Sequence, residues 1–218
     1  LCWFWKRQPE TLPPAYKKKF SMAIFVSGSK EFIKYRSAII FTLISGLATG
    51  SFMVFLSTSQ HIFEVQYGLV DEFPYIFGAL AFSVGVATFT NGTLVVRFGM
   101  KKLVTIFSIV FSLTSLLYIS IFYGETNPSI GILVLFLALQ FFSVGFLFGN
   151  VRSLAMQPLG HIAGIGAAIN GFFSTIMAVP IATFIGGFVE TTALPLFIGF
   201  AACGFGSLLL LFFVKKSV

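Results

Sequence analysis

Two histidines, two cysteines and seven acids are the residues of this chain whose types could carry metal or acid–base chemistry. Their spacing assembles none of it. His61 and His161 each stand alone in a polar link, with no partner at ligand spacing, so neither a metal nor a catalytic role is expected of them. Cys2 and Cys203 lie in apolar segments and read as small buried hydrophobes, not as a disulfide framework. A serine-protease chemistry within a membrane would need a nucleophile and a base at membrane depth, in hydrogen-bond reach. The one suggestive dipeptide, Ser27-Gly28, lies in a polar segment, and neither histidine lies mid-span. No enzyme activity, cofactor or metal is expected.

The remaining polar chemistry is uncharged. Thr42, Ser45, Thr49 and Phe52 recur at helical spacing on one face, with Gly46 and Met53 beside them. Gln140 and Asn150 lie in a later apolar stretch, and Asn170, Ser174 and Thr175 in the next. Weak hydrogen-bonding groups interleaved with aromatics suit a cavity for amphipathic organic molecules. The same groups could instead join helices, at about 0.6 kcal/mol per bond. That plainer role suits Gln140 and the serines, while Asn150 suits either. Thr42, Ser45, Thr49, Phe52 and Asn150 are thus the candidate cavity residues. No Asp, Glu, Lys, Arg or His lies well inside an apolar stretch. Such residues mark proton relays and ion sites, so no proton-coupling group is expected in this chain.

The elements that must position these residues are membrane helices. Of the 218 residues, 57% are hydrophobic and 10% charged, with 30 Phe and 21 Gly; mean hydropathy is +0.96. An average soluble domain has about 45–50% apolar and about 25% charged residues. A bilayer core needs roughly 20 apolar residues as helix. Six stretches qualify, at Ser37–Gln60, Phe73–Val96, Leu103–Tyr123, Ile130–Val151, Gly164–Val189 and Leu194–Val214. Their unbroken apolar runs exclude β-barrel strands. The expected fold is an all-α integral membrane bundle of six transmembrane helices over residues 37–218. Residues 1–36 read as the end of a preceding helix plus a linker, and the start at Leu1 leads us to expect a piece of a longer protein. Links such as Gly124-Glu125-Thr126-Asn127-Pro128 and Gln157-Pro158-Leu159-Gly160 carry turn residues. In the fifth stretch Gly164, Gly166, Gly171, Gly186 and Gly187 surround Pro180, a pattern for close packing and a bend.

Charge sorts the links. With six spans, all 14 Lys and Arg fall on one side, including Lys17-Lys18-Lys19, Arg97, Lys101, Lys102 and Arg152. Glu64, Asp71, Glu72, Glu125 and Glu190 fall on the other side, with no base. The positive-inside rule then places both ends of this chain in the cytoplasm of a multi-pass plasma (inner) membrane protein. The net charge of +7 needs no nucleic-acid partner; the lipid bilayer is the expected partner. The Lys17–Lys19 run reads as a solvated linker, with contact to anionic lipid heads as the alternative.

The link between the second and third spans runs Asn91-Gly92-Thr93-Leu94-Val95-Val96-Arg97-Phe98-Gly99-Met100-Lys101-Lys102. It resembles the loop motif of the major facilitator superfamily: Gly, three residues, an acid, Arg, any residue, Gly and bases. Gly92, Arg97, Gly99, Lys101 and Lys102 match, and Val96 stands where the acid is usual. Longer stretches resemble one branch, the Bcr/CflA drug-resistance efflux transporters. Ser59–Gly68 resembles its Ser-Pro-Phe…Tyr-Gly segment, with Gln60 replacing the Pro, and Asn150–Gly171 resembles its Asn…Leu-Ala…Pro…Gly…Ala-Gly…Ala…Gly signature, with Gly149 where a Pro is usual. Pro9-Glu10-Thr11-Leu12 resembles the start of the family's central cytoplasmic loop.

The resemblance implies one half of the family fold, helices seven to twelve of twelve, as two inverted three-helix repeats. It implies proton-coupled efflux of drug-like small molecules by alternating access, with the missing N-terminal six-helix half as partner. It places the first and fourth spans at the cavity and the 92–102 link at the cytoplasmic gate. Coupling acids of this branch generally sit in the other half. Two alternatives stay open: export of an amino acid or other metabolite, and a standalone six-span half-transporter or non-transporting membrane partner.

Overall fold

The computed structural model describes residues 2–7 and 22–214; the Lys17–Lys19 run and Lys215 and Lys216 lie outside the described residues. The elements in order are α1 (Cys2–Arg7), α2 (Met22–Lys34), α3 (Arg36–Gln60), α4 (Phe73–Phe98), α5 (Met100–Phe122), α6 (Ile130–Met156), α7 (Ala163–Gly186) and α8 (Leu194–Phe212). No strand occurs among the described residues. Among the described residues, five apolar helical runs are long enough to cross a membrane. The longest spans 57 residues, Ile130–Gly186. It is broken at a 3-10 turn, Gln157–Ile162, where Leu159 leaves helical geometry at φ −111° and ψ 18°. Pro158 in that turn cannot donate to the ladder, so the run supplies two legs, α6 and α7. Six long helices result, each within a few residues of the sequence expectation.

Two local features differ from that expectation. Residues 22–34, read as linker, form the amphipathic helix α2. Its Lys and Ser content, and its length of 13 residues, kept it from registering as a long apolar run. At the far end of α3 the helix continues as one π-helical turn, His61–Gln66, which carries it out of the apolar run. α7 runs through Pro180 as one helix.

Helices pack by a rule that the residues did not reveal. Take α3, α4 and α5 as one set, and α6, α7 and α8 as the other. The first helix of each set packs along the second of the other set, α3 on α7 and α6 on α4. It packs also on the third of the other set, α3 on α8 and α6 on α5. The two first helices meet, as do the two third helices. Exchanging the sets leaves the pattern unchanged. Because α3 and α6 run in opposite directions across the bundle, the exchange inverts the molecule, as two inverted three-helix repeats require. The result is a row in the order α4, α6, α3, α7, backed by α5 and α8.

The row is close-packed where small residues let backbones approach. A Cβ at Gly46 would stand 2.6 Å from Met177 Sδ, and one at Gly50 would stand 2.9 Å from Ile181 Cδ1, both on α7. Toward the acidic end an aromatic core forms around Phe55, Phe63, Phe77 and Phe141, with Phe55 and Phe141 centroids 4.6 Å apart. Behind it Tyr118 of α5 stacks on Phe197 of α8 at 3.6 Å. Offset and edge-to-face aromatic pairs each add about 0.5–1.5 kcal/mol beyond their buried area. Cys203 is buried and free; the Cys2 side chain lies outside the described residues.

Candidate functional site

Three places bring polar or aromatic chemistry together. The first is the set of polar seams that α3 makes with α7 and that α6 makes with α4 and α5. Thr42 and Ser45 are buried, at 3% exposure each, and both are engaged by α7. The Asn170 amide donates to Thr42 Oγ1 at 2.9 Å, and Ser174 and Ser45 share a hydroxyl bond of 3.0 Å. Asn150, also 3% exposed, pairs with Asn91 of α4. Its amide donates to Asn91 Oδ1 at 2.7 Å and to the Phe146 carbonyl at 2.9 Å. Gln140 donates to Ser115 Oγ at 2.6 Å on α5. These groups join helices where they stand.

Two of the five candidate cavity residues, Phe52 and Thr49, are not hydrogen-bonded to a neighbouring helix among the described residues. Phe52 is half-buried and lies edge-on between Phe141, at 5.6 Å, and Phe148, at 5.5 Å. It borders a crevice of about 180 Å³ that Phe77, Leu80, Ala81, Val84 and Phe141 also line. One turn before it, Thr49 Oγ1 is buried without a hydrogen-bond partner among the described residues. An unpaired hydroxyl is costly in an apolar setting, so Thr49 carries a buried, unsatisfied oxygen one turn from Phe52. Arg152 lies over Phe148 at 5.7 Å, at the basic end of the same face.

The Thr42–Asn170 bond is measurable by itself. A double-mutant cycle with Thr42→Val and Asn170→Leu should return a coupling of about 0.6 kcal/mol in unfolding. Coupling near zero would mean the amide has found another partner.

The second place is the 92–102 link. α4 ends at Phe98 and α5 starts at Met100, so Gly99 alone makes the turn. Its φ of 79° and ψ of 150° lie in a region that only glycine occupies readily. The Gly99 N–H donates to Val95 O at 2.9 Å, and Leu103 N–H donates to Gly99 O at 3.2 Å, which caps both helices. Arg97 and Lys102 sit on the Phe98 ring at 5.4 and 5.3 Å. Lys101 borders a groove between this turn, Gln157 and Pro158. Gly92 is one turn inside α4 with open space at its α-carbon.

Over 219 aligned residues the chain is 25% identical to a Bacillus subtilis (strain 168) protein named uncharacterized MFS-type transporter YdgK. This chain is similar to an MFS-type transporter. The alignment covers 97% of the chain and 52% of that relative, so the chain spans about half the relative's length. No family model matches the chain. No solved structure matches it. The likeness to an MFS-type transporter, together with several apolar helices, supports a multi-pass membrane protein.

The third place is one that sequence reasoning missed. At the acidic end of the bundle the three links, after α3, after α5 and after α7, are tied together through Asn127. Its Oδ1 accepts from Ala193 N–H at 2.8 Å, and its amide donates to Gln66 Oε1 at 2.9 Å. Gln66 in turn donates to Glu190 O at 3.2 Å, where His61 Nε2 also donates at 2.8 Å. The Tyr67 hydroxyl donates to Pro128 O at 2.8 Å, and burial pushes its pKa up to about 12, so it stays a donor at any working pH. The signal in the sequence was only the Asn-Pro of a turn. An Asn that bridges two distant links leaves no local periodicity to find.

Proposed function

We propose that this bundle is the C-terminal half of a proton-coupled exporter of drug-like molecules, working by alternating access against a second six-helix half. One observation carries the reading: the row α4–α6–α3–α7 presents small residues at both flanks of the Phe52 crevice. On α4, Gly78, Ala81, Gly85, Thr88 and Gly92 recur at helical spacing and are exposed, and Ala81 lies in the crevice with Phe52. On α7, Gly164, Ala167, Gly171 and Thr175 do the same. A Cβ would meet nothing within 4 Å at any of these glycines. The adjoining exposed face of each helix carries bulk, such as Phe82 and Phe89 on α4 and Phe172 and Ile176 on α7. Small residues let membrane helices approach closely, whereas bulky apolar ones suit lipid. A partner bundle seated on the two seams would close a central space over Phe52 and Thr49. In this reading Thr42, Ser45 and Asn150 hold the cavity wall from behind, and the Gly92, Arg97, Gly99, Lys101, Lys102 turn acts at the cytoplasmic gate. No Asp, Glu, Lys, Arg or His lies well inside a described span, so in this reading the coupling group belongs to the other half. The likeness to an MFS-type transporter of about twice the length supports the same picture.

The test is efflux of a fluorescent cationic dye from cells lacking other exporters, with the chain expressed together with its second half. Phe52→Ala should lower efflux roughly three- to tenfold by removing an edge-to-face aromatic contact. Thr49→Val should reduce export of hydrogen-bonding substrates while leaving protein levels unchanged. A protonophore should abolish accumulation differences. Dye retention identical in expressing and non-expressing cells would sink the exporter reading. Competition by an amino acid but not by dyes would favour metabolite export. Full transport by this chain without a partner half, together with a specific cross-linked dimer, would favour a standalone half-transporter.

A further inference from the structure

A cavity of about 670 Å³ lies between α2, α3 and α7, on the far side of the α3–α7 seam from Phe52. Ile33, Ile39, Leu43, Ile169, Phe172 and Phe173 make most of its wall, the candidate cavity residue Thr42 also borders it, and its surface is almost wholly apolar. Its side of the bundle follows from helical rotation, about 100° per residue. One turn after Leu43, Leu47 packs toward Gly206 of α8, so the Ile39–Leu43 edge faces the back layer. Phe52 falls on the opposite edge of α3, with Thr42 and Thr49 between the two edges. On α7 the cavity takes Ile169, Phe172 and Phe173, the bulky side, and not the Gly171 side. The cavity therefore opens laterally toward lipid.

α2 roofs it. Gly28 of α2 lies against Ile165 of α7, so close that a Cβ there would stand 2.7 Å from Ile165 Cγ2. Phe32 is buried in a cluster with Ala38 and Leu159, and Glu31 pairs with His161 at 2.5 Å. Fixed in this way, α2 leaves Ile33 66% exposed at the cavity mouth. Lys30 and Lys34 are exposed one residue away from wall residues Ser29 and Ile33, and Arg36 is exposed just beyond. Glu31 is the carboxylate of α2, and it is already taken by His161. An apolar slot at the basic end of a membrane bundle, rimmed by three bases without a carboxylate partner among the described residues, is complementary to an anion carrying a long hydrocarbon chain.

We propose that this slot binds an anionic phospholipid of the leaflet at the basic end. An acyl chain enters between α3 and α7, and the headgroup phosphate lies at Lys30, Lys34 and Arg36. Each base near an anionic headgroup is worth about fivefold in affinity, and long Lys and Arg stems reach along apolar surface to do this.

The experiment places a reporter indole in the slot, Phe173→Trp in a Trp3→Phe, Trp5→Phe background. The full chain is reconstituted in phosphatidylcholine vesicles. Brominated-acyl phosphatidylglycerol or brominated-acyl phosphatidylcholine is then added at equal fraction. The expected result is quenching with an apparent preference of at least about fivefold for the phosphatidylglycerol. That preference should disappear in Lys30→Gln/Lys34→Gln/Arg36→Gln, and Ala168→Phe should reduce quenching by filling the slot. Equal quenching by the two lipids would overturn the proposal, and so would a preference that survives loss of the three bases. Relief of quenching by a transported dye as readily as by unbrominated phosphatidylglycerol would also overturn it, by making the slot a substrate site. The reporter protein alone decides the matter where a further variant fails to fold.

Discussion

Gly145→Ala should destabilise the bundle by about 1–3 kcal/mol, the usual cost of overpacking a tight contact. The new methyl would stand 2.6 Å from Ala87 Cβ and 2.8 Å from the Val84 carbonyl oxygen, both on α4. Neither atom can rotate away, because one is fixed to its α-carbon and the other belongs to the backbone. Ala87 is fully buried, so relief requires α4 to move off α6. One turn further on, that movement would stretch the Asn91–Asn150 amide pair, now at 2.7 Å. Gly46→Ala is the control. Its methyl would press on Met177 Sδ and Cε, the far end of a flexible side chain, and it should cost clearly less. Thermal unfolding in detergent, followed by helical circular dichroism, compares the two. Adding Ala87→Gly to Gly145→Ala should recover part of the loss. A Gly145→Ala melting curve that overlays the parent would mean that α4 and α6 are further apart than described.

Gly99→Ala should cost about 1–3 kcal/mol for a different reason. Nothing lies within 4 Å of a Cβ at Gly99, so space is not the obstacle. The backbone is, since φ 79° with ψ 150° is almost closed to any residue with a Cβ. A one-residue turn has no neighbour to share the adjustment, so the strain falls on the Val95–Gly99 and Gly99–Leu103 bonds that cap α4 and α5. Gly92→Ala, in the same motif, should be neutral or slightly stabilising, because Gly92 is helical with open space around it. Unfolding measurements on the pair separate a motif glycine needed for geometry from one needed only as part of a flat surface. Equal effects at the two positions would refute that division.

The long helices were legible because a membrane span is a property of a segment by itself. An apolar run such as Leu194–Phe212 declares itself without reference to its neighbours. The inverted-repeat packing was not, since it depends on which helix meets which. The same limit governed the polar residues. The spacing of Thr42, Ser45 and Thr49 showed a common face but not the identity of what faces it. Asn170 and Ser174, themselves visible as polar residues in an apolar run, turned out to be the partners of the first two. Asn91 was visible only as the start of a loop motif, and its pairing with Asn150 needs α4 and α6 side by side. α2 escaped because its apolar residues cover one stripe of a short helix, too few to register as a span.

The cross-tied links at the acidic end have a practical consequence. Gln66, Asn127 and Glu190 are far apart in sequence, yet they form one bonded surface. No peptide copied from a single link can reproduce that surface. An antibody or nanobody raised against the intact bundle and selected on this end would recognise a discontinuous epitope. Such a reagent would count correctly assembled molecules and ignore total protein, so a folded fraction could be read directly in a membrane preparation.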